Sequence, residues 1–345
     1  MKYLLLTAGL VTAISSVQAI TPIPKESGLS GFINLGVAAG QVESNTVAKV
    51  GPVDLGEDGI TNINSSADKE DVLLPLAAGE ISYTFAETGT QIFLGTLLED
   101  FVRFDSSTRA GVRQSLGSAG IASASLLTTP MTGAKTWNDP YLTRSEGKRT
   151  TTDRTAQGGR LAWGSIFNTG LEVTYSWRDQ DVDNDRIGES LIGAAGPNGI
   201  TAAEQQTLLR DGSLVSTEVS YIFGLGEGSS LQVSATYTDN DLDGEASSFD
   251  GYAGEVNWIQ KVGNRWRLVT NLVYGQFEAK ADNPIYNKAA DFDRMGGSFT
   301  AFYAEPFGLK GWNANGGVVY FAENNDIDFL DQRVGIVQLG MLYRF

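Results

Sequence analysis

The last fifteen residues of the chain, 331–345, alternate between two kinds of side chain with a period of two. One set is apolar and ends in two aromatic rings: Gly335, Val337, Leu339, Met341, Tyr343 and Phe345. The other set is mostly polar, with Ile336 and Leu342 as apolar exceptions. This period is that of a β-strand with one apolar face. A soluble sheet alternates in the same way, but aromatic rings at a strand end are typical of the interfacial girdle of a membrane barrel.

The same alternation recurs along the rest of the chain. In residues 171–178 apolar and polar side chains alternate at every position, and the apolar set ends in Tyr175 and Trp177. Short connections alternate with long ones, and aromatic residues lie at the short ones: Phe85, Phe167, Phe223, Trp266, Phe307 and Trp312. We therefore predict an all-β protein, a transmembrane antiparallel up-and-down β-barrel of about 14 strands, with about 12 or about 16 strands as alternatives.

The first nineteen residues have the features of a cleaved secretory signal peptide. Lys2 supplies a positive charge, residues 3–14 form an apolar run, and Val17-Gln18-Ala19 is close to the small-residue cleavage rule. The apolar run is too short to span a bilayer. We expect a signal peptide over residues 1–19 and a barrel with extracellular loops over residues 20–345.

The composition excludes several classes of function. The chain contains no histidine and no cysteine. This excludes Ser-His-Asp and Cys-His catalysis and zinc held by histidine or cysteine, and no cofactor is expected from the sequence. The net charge is −16, and removal of Lys2 with the signal peptide leaves 24 basic against 41 acidic side chains. A surface this acidic argues against nucleic acid as a partner, and we predict that the protein is not an enzyme.

The end of the chain resembles the assembly signature of Gram-negative outer-membrane β-barrels, with Tyr343 third from the end and Phe345 last. The whole mature chain is similar to porin-like barrels, and also to a family of outer-membrane barrels known only as a domain of unknown function. The resemblance implies residence in the outer membrane, contact with the lipid bilayer and lipopolysaccharide, and recognition of Tyr343 and Phe345 by the barrel-assembly machinery. The best-known porins are trimers, so a homo-oligomer stays open, although no segment specific to a trimer is present.

The polar side of the predicted strands should face the lumen. Its charged members are the predicted pore-lining residues: Arg103, Asp105, Arg109, Arg113, Arg160, Glu172, Arg178, Glu218, Glu255, Arg267 and Arg344. Opposed basic and acidic residues across a water-filled pore would select solutes by charge. The alternative is a plug of salt bridges that stiffens the wall. A barrel of about 14 strands lies between filled and open barrels, so we expect a narrow channel.

Two loops contain recognisable local patterns. Residues Thr201 to Arg210 begin with a capping box and predict a short helix, either over the rim or folded into the pore. Asp239, Asp241, Asp243 and Asp250 have the spacing of a calcium loop, but the last position is not Glu and the flanking segments are strands. Calcium or magnesium at these extracellular acidic loops is therefore weighed against ordinary solvated carboxylates.

Together these features favour an outer-membrane, porin-like channel for passive diffusion of small hydrophilic solutes. The acid-rich mouth would attract cations, and the arginines deeper in the lumen would hold anionic groups. The alternative is a non-conducting surface barrel that acts as an adhesin or receptor through its loops, or as a structural outer-membrane protein. The sequence does not identify the solute.

Overall fold

The computed structural model describes residues 22–50, 53–56, 58–100, 105–129 and 134–345, without the side chains of residues 97–100, 105, 106 and 134. The predicted signal peptide, residues 1–19, and Arg103 lie outside the described residues.

The described residues contain fourteen long antiparallel strands, which we number β1 to β14. Their bounds are β1 Gly28–Ser44, β2 Glu70–Phe85, β3 Thr90–Asp100, β4 Asp105–Ser115, β5 Ile121–Thr128, β6 Thr151–Gly164, β7 Leu171–Val182, β8 Gly212–Gly226, β9 Ser229–Leu242, β10 Phe249–Val262, β11 Trp266–Ala279, β12 Phe292–Ala304, β13 Trp312–Asn325 and β14 Gln332–Arg344. Each strand pairs with the next, and β14 pairs with β1, where Tyr343 lies opposite Ile33. This confirms the predicted closed barrel of fourteen strands.

The two faces of the wall differ in polarity as the sequence predicts. Val219 and Val233 point outward and are 46% and 42% exposed, whereas their neighbours Ser220 and Gln232 point inward and are buried. Alternate residues of a strand point to opposite faces, so this arrangement extends along each strand. The apolar side chains of the strands therefore face lipid, and the polar side chains face the lumen.

Aromatic pairs mark the end of the barrel that carries the short turns. They are Tyr83–Phe85, Trp163–Phe167, Tyr221–Phe223, Trp266–Tyr303 and Trp312–Tyr343. Both chain ends of the barrel meet here, because the N–H of Gly31 donates to the carbonyl of Phe345. A closed wall with an apolar outer face and an aromatic girdle is the wall of an outer-membrane barrel, which confirms the predicted location. By the usual orientation, the short turns are periplasmic and the long loops extracellular.

Three short strands extend into the lumen from the extracellular side, and we call them the inner ribbon: Val47–Val50, Val53–Asp54 and Ala134–Trp137. The ribbon pairs with the start of β6, where Lys135 lies opposite Asp153. Its apolar side chains form one buried cluster with the inner faces of β1, β2, β13 and β14: Val47, Val50, Leu55, Ala38, Val42, Val72, Leu74, Leu76, Val319, Val334 and Ile336. The apolar exception at Ile336 is explained by this contact.

The remaining elements are short. Helix α1, Ala202–Gln206, begins at Thr201 with both hydrogen bonds of a capping box, which confirms the predicted helix although it ends before Arg210. The 3-10 helices are Gly117–Ala119, Ile166–Asn168, Glu189–Leu191, Glu245–Ser247, Pro306–Gly308 and Asp328–Leu330, and a small hairpin joins Asp282–Asn283 to Lys288–Ala289. Within the described ranges, no helix has the length and apolarity needed to cross a bilayer.

Adjacent residues of β14 test the assignment of faces. We expect Ile336→Ala to lower the free energy of unfolding by about 2–5 kcal/mol, because it leaves a cavity against the inner ribbon. Val337→Ala is the matched control, since Val337 is 57% exposed on the lipid face. The measurement is urea unfolding in detergent micelles, followed by tryptophan fluorescence. Equal losses in the two variants would contradict the assignment.

Candidate functional site

A cavity of about 1200 Å³ occupies the lumen. It is lined by Pro24 and Phe345 at the periplasmic end and by Tyr141 and Leu208 under the extracellular loops. In the described part of the chain, every long strand except β5 contributes to it. Strand β1 does so near its start, through residues 30–32, while the inner ribbon covers the upper parts of β1 and β2. The open space of the lumen is therefore displaced to one side of the barrel.

The wall of this cavity is basic, although the protein as a whole is acidic. The charged residues that line it are nine arginines and four glutamates: Arg109, Arg113, Arg154, Arg160, Arg178, Arg210, Arg267, Arg294, Arg344, Glu80, Glu218, Glu255 and Glu323. Arginine is positively charged at any pH that the cell experiences. The lining thus has five more basic than acidic side chains, in a chain of net charge −16.

Glu80 on β2 is the centre of a buried ion-pair network. Arg113 donates two hydrogen bonds to its carboxylate, of 2.8 and 2.7 Å, and Arg109 donates one of 2.9 Å. Arg113 also donates to Gln91, and its guanidinium lies 3.9 Å from the centre of the Phe93 ring. A bidentate arginine–carboxylate pair is a strong and directional contact. One carboxylate therefore holds two guanidinium groups against the same wall.

Arg160 on β6 differs from its neighbours because it forms no hydrogen bond and no ion pair with any residue that the structure describes. Its positive charge is repelled by that of Arg109 and attracted by the carboxylate of Glu218. The carboxylate of Glu255 accepts hydrogen bonds from the amides of Asn257 and Asn271. Arg160 therefore lines the cavity without a hydrogen-bond or ion-pair partner among the described residues.

The other predicted pore-lining residues fall into three groups. Arg178, Arg267 and Arg344 line the cavity. Glu172 is buried on the inner face of β7 but does not line the cavity. Asp105 begins β4 with its side chain outside the described atoms, and Arg103 lies outside the described residues.

Sequence reasoning missed five charged lining residues: Glu80, Arg154, Arg210, Arg294 and Glu323. Four of them were detectable, because they lie on the inward parity of β2, β6, β12 and β13. Arg210 follows helix α1 in a loop, where no strand period exists to predict its direction.

The four aspartates of the predicted calcium loop are not gathered around one point. The ammonium group of Lys280 forms ion pairs with Asp239 at 2.7 Å and with Asp241 at 2.8 Å. These two carboxylates are therefore already paired with a positive side chain of the protein. Asp250 accepts a hydrogen bond from the hydroxyl of Tyr237. Within the described residues there is no group of three or more acidic side chains that could hold a metal ion.

The extracellular loops pack into a single apolar layer, which we call the cover. Its buried members come from five loops: Tyr141, Ile187, Leu191, Ile200, Leu208, Ala246, Ile285, Ile327 and Phe329. Ile60 and Ile63 of the first loop pack against them. The rings of Tyr141 and Phe329 stack at 4.8 Å. Since Tyr141 and Leu208 also line the cavity, the cover is its extracellular roof.

Polar contacts tie the loops of the cover together. Asp139 accepts backbone hydrogen bonds from Tyr141 in its own loop and from Gly188 and Ser190 in the next loop. Arg210 forms an ion pair of 2.6 Å with Asp185 of its own loop. It also donates hydrogen bonds to the carbonyls of Trp137 and Asn138. Burial raises the pKa of Tyr141 to about 12, so this phenol stays neutral at physiological pH. The cover is thus an ordered structure with an interior of its own.

Removing the carboxylate of Glu80 should destabilise the barrel. In Glu80→Gln the two guanidinium groups of Arg109 and Arg113 stay close together without a counter-charge, and we expect a loss of about 3 kcal/mol in the free energy of unfolding. Glu227→Gln, in an exposed turn, is the control. Urea unfolding in micelles measures both variants. An unchanged midpoint for Glu80→Gln would show that the network contributes nothing to stability.

The chain has partial structural similarity to several solved proteins. A FadL homologue of Pseudomonas aeruginosa has a TM-score of 0.47 at 12% identity, over 91% of this chain and 90% of that one. The outer-membrane channel DcaP of Acinetobacter baumannii has a TM-score of 0.45 at 11% identity, over 93% and 97%. An anion-selective porin from Comamonas acidovorans has a TM-score of 0.41 at 10% identity, over 93% and 99%.

Sequence comparison gives the family. None of the curated proteins matches the chain. A family model described as "Protein of unknown function (DUF2860)" matches residues 28–344, which begin with β1 and end with β14. The match covers the whole barrel, and the chain therefore belongs to the DUF2860 family.

Proposed function

We propose that this protein is an outer-membrane channel that admits small hydrophilic solutes to its lumen and prefers anionic ones. The observation that carries the proposal is the cavity of about 1200 Å³ lined by nine arginines and four glutamates. Rings of charged side chains set the ion selectivity of a pore. The excess of arginine favours anions inside, even though the outer loops are acidic.

The cover determines when such a channel can conduct. Its apolar layer closes the extracellular end of the cavity, and its members are almost fully buried, Phe329 at 0% and Tyr141 at 1% exposure. Loops that open on a microsecond to millisecond timescale would let solutes pass intermittently. The proposal therefore includes a gated and not a permanently open pore.

The first test is single-channel recording in planar bilayers with a salt gradient. We expect brief openings with a reversal potential on the anion-selective side. The double variant Tyr141→Ala, Phe329→Ala removes the stacked rings of the cover and should lengthen the openings. Leu225→Ala, at an exposed position near the periplasmic end of β8, is the control. No current from the wild type and from the cover variant, across several ions and sugars, would overturn the proposal.

The second test changes the charge of the lumen. Arg160→Glu replaces a lumen guanidinium that has no partner with a carboxylate, so the reversal potential should move toward cation selectivity. Arg265→Glu is the matched control, because Arg265 lies in an exposed turn between β10 and β11. An equal shift in both variants would show that surface charge, and not the lumen, sets the selectivity.

The ordered cover favours a second candidate function, a surface receptor or adhesin that acts through its loops. Tyr141, Tyr286 and Phe329 form an aromatic group within these loops. Absence of current in every variant, together with a folded barrel and an intact cover, would favour this candidate.

A further inference from the structure

The pairing between β2 and β3 covers only part of the length of the two strands. Their pairing runs from Phe85, opposite Thr90, to Glu80, opposite Gly95, and then stops. Beyond that point β2 stays paired with β1 as far as Glu70. Likewise, β3 stays paired with β4 as far as Asp100. In the described part of the chain no strand pairing joins residues 70–79 of β2 to residues 96–100 of β3.

This gap lies within the lipid-facing band. Leu73 of β2 is 68% exposed, and across β1 it is in line with Ala39 and then Val337 of β14, which is 57% exposed on the lipid face. An open strand edge is unfavourable in lipid, because its N–H and C=O groups have no partner there. A gap at this level therefore needs features that reduce the number of such groups.

Two features of the chain do this. The Thr96 hydroxyl accepts a hydrogen bond from the N–H of Gly79 and donates one to its carbonyl, at 3.2 and 3.4 Å. The backbone groups of Gly79 thus point toward β3, and so do those of every second residue of β2 from there. Pro75 is one of these residues, and proline has no N–H. Proline within a sheet is confined to edges for this reason. The sequence itself thus prevents a complete ladder at the gap.

The base of the gap leads to the charged part of the cavity. Ala78 and Thr96, on the two sides of the gap, both line the cavity. The row just below contains Glu80, Gly95 and Arg109 side by side. Higher up, the inner ribbon packs against Val72, Leu74 and Leu76 of β2. The part of the gap that the inner ribbon does not cover is therefore at the level of Ala78 and Thr96, one row above Arg109.

The cavity also has an apolar side. Phe249, Phe277 and Phe292 line it and pack against one another, with the Phe277 and Phe292 rings stacked at 4.7 Å. One arginine, Arg294, also lies against these rings, 5.2 Å from the centre of the Phe277 ring. A lining that combines arginines with a phenylalanine group fits a molecule with a charged head and an apolar chain. Tyr141 and Leu208 of the cover add further apolar surface at the extracellular end of the cavity.

We propose that the gap between β2 and β3 is a lateral portal, through which a single-chain amphiphile with an anionic head passes between the bilayer and the lumen. The head binds near Arg109 and Arg160, and the chain extends toward the phenylalanines or out through the portal. The inference rests on the proposed function, in that the lumen is a solute path, and it specifies the class of solute.

Cysteine labelling tests the portal directly, since the natural chain has no cysteine. Ala78→Cys lies inside the portal, and Ser298→Cys lines the same cavity on β12, which is paired with β11 and β13 on both sides. Both are reconstituted in phospholipid vesicles with a maleimide attached to the end of a lipid acyl chain. We expect Ala78→Cys to react at least about tenfold faster than Ser298→Cys, after normalisation to a small water-soluble maleimide. Equal normalised rates would overturn the portal.

Ligand binding is the second, independent measurement. Calorimetry in nanodiscs compares laurate with dodecanol and with inorganic phosphate. We expect saturable binding of laurate, weaker binding of dodecanol, and a loss of about tenfold in laurate affinity for Arg160→Gln but not for Arg265→Gln. Binding of phosphate without laurate, or the same laurate affinity in both variants, would overturn the assignment of an anionic amphiphile.

The outcomes separate this inference from the function on which it rests. Anion-selective current with no laurate binding and no portal labelling would rule out the amphiphile site and support the small-solute channel. Portal labelling and laurate binding with no ion current in any variant removes the small-solute channel and leaves the amphiphile site. Mass spectrometry of lipids extracted from the purified protein distinguishes the sources. A bound anionic lipid indicates the bilayer, and its absence beside saturable laurate binding indicates dissolved amphiphiles.

Discussion

In a bilayer every backbone N–H and C=O group must find its partner within the protein, and the rest of this structure depends on that constraint. It requires the sheet to close, which β14 and β1 accomplish along thirteen residue pairs from Phe32 with Arg344 to Ser44 with Gln332. Closure fixes one face of each strand against lipid, so the polar set of each alternating strand must face the lumen. The lumen of this acidic protein is nevertheless basic, because four of its 41 acidic side chains line the cavity in the described part of the chain, against nine arginines.

Inside the wall, charge is distributed by pairing. Glu80 holds Arg109 and Arg113, and Glu323 holds Arg294 at 2.8 Å, so these groups strengthen the wall. Arg160 has no such partner among the described residues and is left to interact with whatever enters. The salt-bridge interpretation of the lumen applies to Glu80 and Glu323, whereas the channel that we propose depends on residues such as Arg160.

The strands could be predicted from sequence because a period of two leaves a signal at every position. The fourteen strands, the outward valines and the aromatic girdle all follow from it. The inner ribbon and the cover could not be predicted in this way. Their residues, such as Leu55, Tyr141 and Phe329, lie in loops without a period, and they come together only through contacts distant in sequence. Glu80 and Pro75 were predictable from the sequence in principle, because both lie in the strand β2.

Pro75 connects the constraint on the wall with its interruption. Strand β2 has 16 residues and β3 has 11, but their ladder joins only residues 80–85 to residues 90–95, so it ends before either strand does. A proline in the part of β2 beyond this ladder lowers the number of N–H groups left open, and it also disfavours any other strand that might pair there. The inner ribbon then packs behind the same residues from within. The same stretch of β2 thus contains a proline that reduces its open N–H groups and packs against apolar residues of the inner ribbon. An accidental break in the ladder would have neither feature, so the sequence specifies this one.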